Sequence, residues 1–236
     1  MKLEGRKTGL FGLCQNNPHF SMEGNMEYRC VATSVEGFVQ QLAVAYVTHG
    51  YWFYVMGQVP EDKNPAAVDR KLVERYGIAI SKWVRARRKR QGLANMQYLR
   101  YERSFVLLAT RGRHEFFQRE QGAIRDIRRV PIKFAGYSIS CRKGRDGRWH
   151  ASVRIRAEEY KNLKAYLVNL AAVGTRVRLT KEFDELCREP YAPVRRQLLS
   201  TLRAVNRVKA RACLELVPAS CLRLRRHVVQ PFCAGR

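Results

Sequence analysis

The chain has 236 residues, 46% of them apolar, enough to bury a core in one domain of ordinary size or two small ones. Residues 1–79 carry 8 Lys/Arg against 8 Asp/Glu, whereas residues 80–236 carry 37 against 12, so the whole formal charge of +25 lies beyond residue 79. A disordered polycation is excluded by the apolar content, a membrane span by the lack of any apolar run near 20 residues, and a small-molecule role has no motif behind it.

Residues 1–25 are rich in Gly and Asn without a clear period and read as a disordered leader; they lack the apolar stretch of a signal peptide. An α+β core is expected over 26–172, with helices packed on a mixed or antiparallel sheet. It opens with a short strand over 28–33 and a helix over 35–48, capped by Ser34 and ended near Gly50. The aromatic run 51–56 predicts a strand covered on both faces. Pro65 then starts a helix that presents Val68, Leu72, Val73 and Tyr76 on one side.

The charge changes at 81–91, where Ser81 can cap a helix and Gly92 can end it. Six of the nine residues from Lys82 to Arg90 are basic and none is acidic. Trp83 among them reads as the anchor that holds this helix on the core, although an aromatic beside basic residues also suits base stacking.

One long strand or two are expected over 98–110, a short helix over 116–121 and a strand over 124–130. A two-stranded hairpin is predicted over 133–156, turning at Asp146-Gly147. Its return strand alternates: Trp149, Ala151, Val153 and Ile155 point to the core, while His150, Ser152, Arg154 and Arg156 form a basic outer face.

The remainder, 173–236, is expected to be a helical arginine-rich region. The core closes with a helix predicted over 158–172; beyond it helices are predicted over 180–187 and 193–213, and a last short helix or extended piece over 221–229. In the longest helix Val194, Leu198, Leu202, Val205, Val208 and Ala212 define an apolar face. Arg196, Arg203, Arg207 and Arg211 make a second stripe, with Gln197 and Asn206 as amides able to read bases.

These patterns point to a nucleic-acid-binding protein with DNA favoured over RNA. Its expected phosphate contacts are Arg85, Arg87, Arg88, Lys89 and Arg90 in the first basic helix and Arg196, Arg203, Arg207 and Arg211 in the second, joined across the sheet by Arg154 and Arg156. An RNA- or ribosome-associated role is an alternative, without the aromatic signature of an RNA-recognition sheet at 133–137.

A nuclease or replication initiator of mobile-element type is the other alternative. Rolling-circle initiators need a His-hydrophobic-His metal pair and a helical tyrosine; Tyr160 and Tyr166 fall on a predicted helix, but His49, His114 and His150 stand alone. His114, Glu115 and Glu120, with Glu102 and Asp126, form a weaker candidate set of acids and bases. Seven cysteines, an odd number without a Cys-x-x-Cys pair, indicate a reducing, cytoplasmic setting. The series Cys213, Cys221, His227, Cys233 lacks close ligand pairs, so neither a metal nor a cofactor is assigned.

Overall fold

The structure is a computed structural model that describes residues 28–186, 191–222 and 229–233. The leader read over 1–25 and most of the last element, at 223–228, lie outside the described residues.

Ser34 accepts the Gly37 N–H at 3.0 Å and starts α1 (Val35–Gln40). The helix then widens into a π segment (Gln41–Tyr46) and tightens into a 3₁₀ turn (Val47–His49), ended by Gly50 at φ +93°. Strand β1 (Phe53–Gln58) follows, then α2 (Pro65–Arg75), with Asn64 as its cap, and α3 (Lys82–Arg90). Of the one long strand or two expected over 98–110 there are two, β2 (Met96–Tyr101) and β3 (Ser104–Ala109), and they form a hairpin because Glu102 at φ +51° reverses the chain. After the single turn α4 (Phe116–Arg119), the strand expected over 124–130 shrinks to β4 (Arg125–Asp126). Asp126 turns back to cap Arg128 and ends pairing there.

The first sheet has the order β2-β3-β1-β4 and is antiparallel throughout. The segment expected as a strand over 28–33 contributes one parallel bridge, Val31 to Arg100. The second sheet contains β5 (Ile132–Phe134), β6 (Tyr137–Lys143) and β7 (Trp149–Ile155), in that order. The predicted hairpin is thus a three-stranded meander, since Ala135 (φ +44°) and Gly136 (φ +80°) form a tight turn inside its first strand. Helices α5 (Ala157–Val173), α6 (Arg176–Glu185) and α7 (Ala192–Arg211) follow, so the fold is α+β with a helical C-terminal region.

Residues 35–49 form the centre of the main core. Phe38, Leu42 and Tyr46 meet Leu99, Val106 and Leu108 from one face of the first sheet, Ile139 and Val153 from the second, and Val194 and Leu198 from α7. The other face of the first sheet, with Met96, Tyr98 and Leu107, packs on Tyr76, Ile78 and Phe116. A third cluster joins Leu167 and Leu170 of α5, Leu179 and Phe183 of α6, and Leu202 and Val205 of α7. The long helix α7 therefore has its first half on the sheets and its second half on helices.

One buried ion pair ties α2 to β2. Asp69 accepts Nε–H and Nη2–H of Arg100 at 2.8–2.9 Å and the Tyr98 hydroxyl at 2.6 Å, so its charge is both paired and hydrogen-bonded. Burial, with the Asp69 carboxylate next to it, pushes the Tyr98 phenol well above its ordinary value.

Candidate nucleic-acid interface

Helix α7 separates its residues by face. Val194, Leu198, Thr201, Leu202, Val205 and Lys209 are buried, whereas Arg196, Arg203, Arg207 and Arg211 are exposed. At about 1.5 Å per residue the arginine stripe runs roughly 22 Å along the helix. The helix carries no acidic residue, and no ion pair among the described residues involves either α3 or α7.

Two α7 residues expected to read bases are occupied inside the fold. Gln197 donates Nε2–H to the Ile155 carbonyl (3.0 Å) and accepts the Ile155 N–H (2.9 Å); Asn206 does the same to Val217, at 2.9 Å in each direction. Gln197 stands in for a strand beside β7 and Asn206 holds the segment that follows α7, so neither amide is left for a groove.

The clasp on Ile155 also sets the place of Arg154, which is exposed on β7 one residue before it; Arg196 precedes Gln197 on the facing helix. Arg156 turns instead to Glu158, and its Nε is buried without a partner. The outer face of β7 is less open than expected, because Ser152 is buried and lies in register opposite Ser140.

Lys209 is 2% exposed, and its ammonium donates to the Gly174 carbonyl at 3.1 Å, at the C-terminal end of α5. Favourable charge at that helix end and the carbonyl bond make this burial tolerable. Its position was legible: Leu198, Leu202, Val205 and Lys209 follow steps of four, three and four. The expected apolar residue at that end, Ala212, is exposed.

Helix α3 is organised differently, since none of its residues is buried. Arg85 reaches inward and donates to the carbonyls of Ile78 (2.8 Å), Ile80 (3.2 Å) and Met96 (3.2 Å), and to the Tyr51 hydroxyl (3.4 Å). Asn95 returns a bond to the Arg85 carbonyl at 3.0 Å. Arg85 is therefore the anchor of this helix and is removed from the set of expected phosphate contacts. Trp83, expected as that anchor, is 76% exposed.

Arg88 is half-buried and faces a cleft with Tyr76, Arg113 and His114. Burial first, and then the Arg88 charge, holds the His114 imidazole below its ordinary pKa, against the opposing pull of Glu115. Arg87, Lys89 and Arg90 are exposed. Helix α3 is tied to the first sheet through Met96 and to Tyr51 just ahead of β1, while α7 rests on β7 and α5. The two basic helices are thus mounted on different layers.

Four of the five candidate acid and base residues are engaged elsewhere, and Glu102 lies exposed in the β2–β3 turn. Glu115 pairs with Arg119 at 3.0 Å, Asp126 with Arg128 at 2.6 Å, and Glu120 accepts the Tyr76 hydroxyl at 2.5 Å. Burial and that acceptor push the Tyr76 phenol up to about 12. His114 accepts the Phe116 N–H at 3.1 Å. Tyr160, half-buried on α5, donates to the Gln197 carbonyl, whereas Tyr166 is exposed and donates to Glu182 on α6. Among the described residues no group of three His, Cys, Asp or Glu side chains is placed to hold a metal ion, and no helix is long and apolar enough to cross a membrane.

No family model, curated protein or solved structure matches this chain.

Proposed function

We propose that the protein binds nucleic acid, DNA in preference to RNA, chiefly through phosphates. The observation that carries this reading is that α7 holds its apolar side on the core while Arg196, Arg203, Arg207 and Arg211 stand exposed on the opposite side, with no acid on the helix and no ion pair to it among the described residues. An isolated protein gains from neutralising such a stripe locally, with acids at i,i+4. Leaving it open costs self-repulsion that a polyanion relieves on binding, with release of that partner's counterions.

A straight helix with a charged edge fits the wide major groove of B-form DNA, or lies along its phosphates. The deep, narrow major groove of an RNA duplex excludes it. Because Gln197 and Asn206 are occupied, recognition rests on charge and shape rather than on amides reading bases. The proposed contacts are Arg154, Arg196, Arg203, Arg207 and Arg211, with Arg87, Lys89 and Arg90 as a second patch. On this reading the protein works on nucleic acid in the cytoplasm.

Titration of duplex DNA and duplex RNA against the protein at two or more salt concentrations tests the reading. A steep fall of affinity with salt, at higher affinity for DNA, is expected. Binding that is weak and indifferent to salt refutes it.

A further inference from the structure

Trp83 is 76% exposed on a helix that has no buried residue, so its ring contributes little to holding α3 in place. Arg85 does that work from the opposite side of the helix through its bonds to Ile78, Ile80 and Met96. Steps of four and three put Arg87 and Arg90 on the same outer face as Trp83. Both are exposed and make no side-chain hydrogen bond or ion pair among the described residues. The Lys82 ammonium lies 5.3 Å from the centre of the indole ring.

From this arrangement we infer that α3 binds single-stranded nucleic acid by stacking an unpaired base on Trp83, with Arg87 and Arg90 on the flanking phosphates. The inference rests on the proposed function and adds the form of strand that the α3 patch takes. A flat aromatic surface accepts any base, and cations around it hold the backbone, which is how sequence-tolerant single-strand binders combine the two groups.

An anionic lipid surface is the competing partner for a tryptophan among cations. Interfacial helices, however, need a continuous apolar face. Helix α3 has Trp83 alone as a large exposed apolar residue, with Val84 half-buried, so it has a platform for one ring and no face to immerse.

The test compares a thymidine oligomer of about 16 nucleotides with an abasic oligomer of the same phosphate count. Wild-type protein is expected to bind the thymidine strand about tenfold or more tightly, the range that stacking on one aromatic gives. Trp83→Ala should bring that affinity down to the abasic value and leave abasic and duplex affinities unchanged, while Trp83→Phe keeps part of the preference. Unchanged melting temperatures establish that both variants fold.

Equal wild-type affinity for the two oligomers, or a preference that survives Trp83→Ala, overturns the inference. So does Trp83-dependent binding to phosphatidylserine vesicles without any preference for bases. Salt-sensitive duplex binding beside such a result leaves the proposed function standing. Failure to bind any nucleic acid removes both.

Discussion

The amide of Gln197 pairs with both backbone groups of Ile155, donating to its carbonyl at 3.0 Å and accepting its N–H at 2.9 Å. Among the described residues strand β7 is the outer strand of its sheet, with no strand beside its outward N–H and C=O groups. A single side chain on α7 supplies the missing partner at Ile155 and fixes helix to sheet. Gln197→Ala should cost about 1–3 kcal/mol, the penalty for leaving such groups unsatisfied, and leave the base preference of bound DNA unchanged. Urea denaturation measures the first and competition among DNA sequences the second. A shifted base preference at full stability would return Gln197 to the groove.

Arg85 and its neighbour Arg87 are chemically identical and should behave oppositely. Arg85→Ala removes the donors that hold α3 to Ile78, Ile80 and Met96, so the amides of 82–92 should exchange with solvent about ten- to a hundredfold faster. Arg87→Ala, at an exposed position, should leave their exchange unchanged. Hydrogen exchange resolved on this segment separates the two, and equal protection in both variants would refute the anchoring role.

Charge reversal at Arg203 and Arg207 addresses the α7 stripe. The double variant Arg203→Glu/Arg207→Glu should weaken DNA binding by orders of magnitude and reduce the slope of log affinity against log salt by about 2, one for each phosphate that is no longer neutralised. Its melting temperature should match the wild type, since both side chains are exposed. An unfolded variant would mean that the faces of α7 are reversed.

His114 predicts an acid-sensitive step in stability. Its pKa is lowered from the ordinary 6.5, first by burial and then by Arg88. On acidification the unfolded chain binds a proton near pH 6.5 while the folded chain resists, so the stabilisation is whole above 6.5 and is lost as pH falls through the lower folded value. Protonation at Nδ1 would also remove the acceptor of the Phe116 N–H. His114→Asn should flatten the stability profile across this window, as thermal melts at a series of pH values would show; an unchanged slope would refute the assignment.

How legible the candidate site was depended on which physical rule governed each residue. The stripe at Arg196, Arg203, Arg207 and Arg211 was visible because a long amphipathic helix sorts its faces by period alone, and burial of Val194, Leu198 and Val205 leaves the opposite side in water. The same period contained the sign of Lys209, which steps with the leucines although its head group is charged.

In α3 the period misled. Nine residues with Trp83, Val84 and Ala86 as the three apolar ones do not define a face, and the usual preference of tryptophan for the interior put Trp83 inward. Whether Arg85 or Trp83 points inward depends on three carbonyls contributed by 78, 80 and 96, which no local pattern displays.

What the chain determined by itself is therefore its α+β character, the existence of most elements and the one-sided charge, because these follow from local periodicity and composition. Tertiary structure alone decided that 133–156 folds as a meander, that α3 hangs from an arginine with its tryptophan in water, and that the two α7 amides bind backbone rather than bases. The reason is the same in each case. A polar side chain takes whichever partner the folded chain leaves unsatisfied, and those partners, Ile155 and Val217 among them, lie far from it in sequence or on another element.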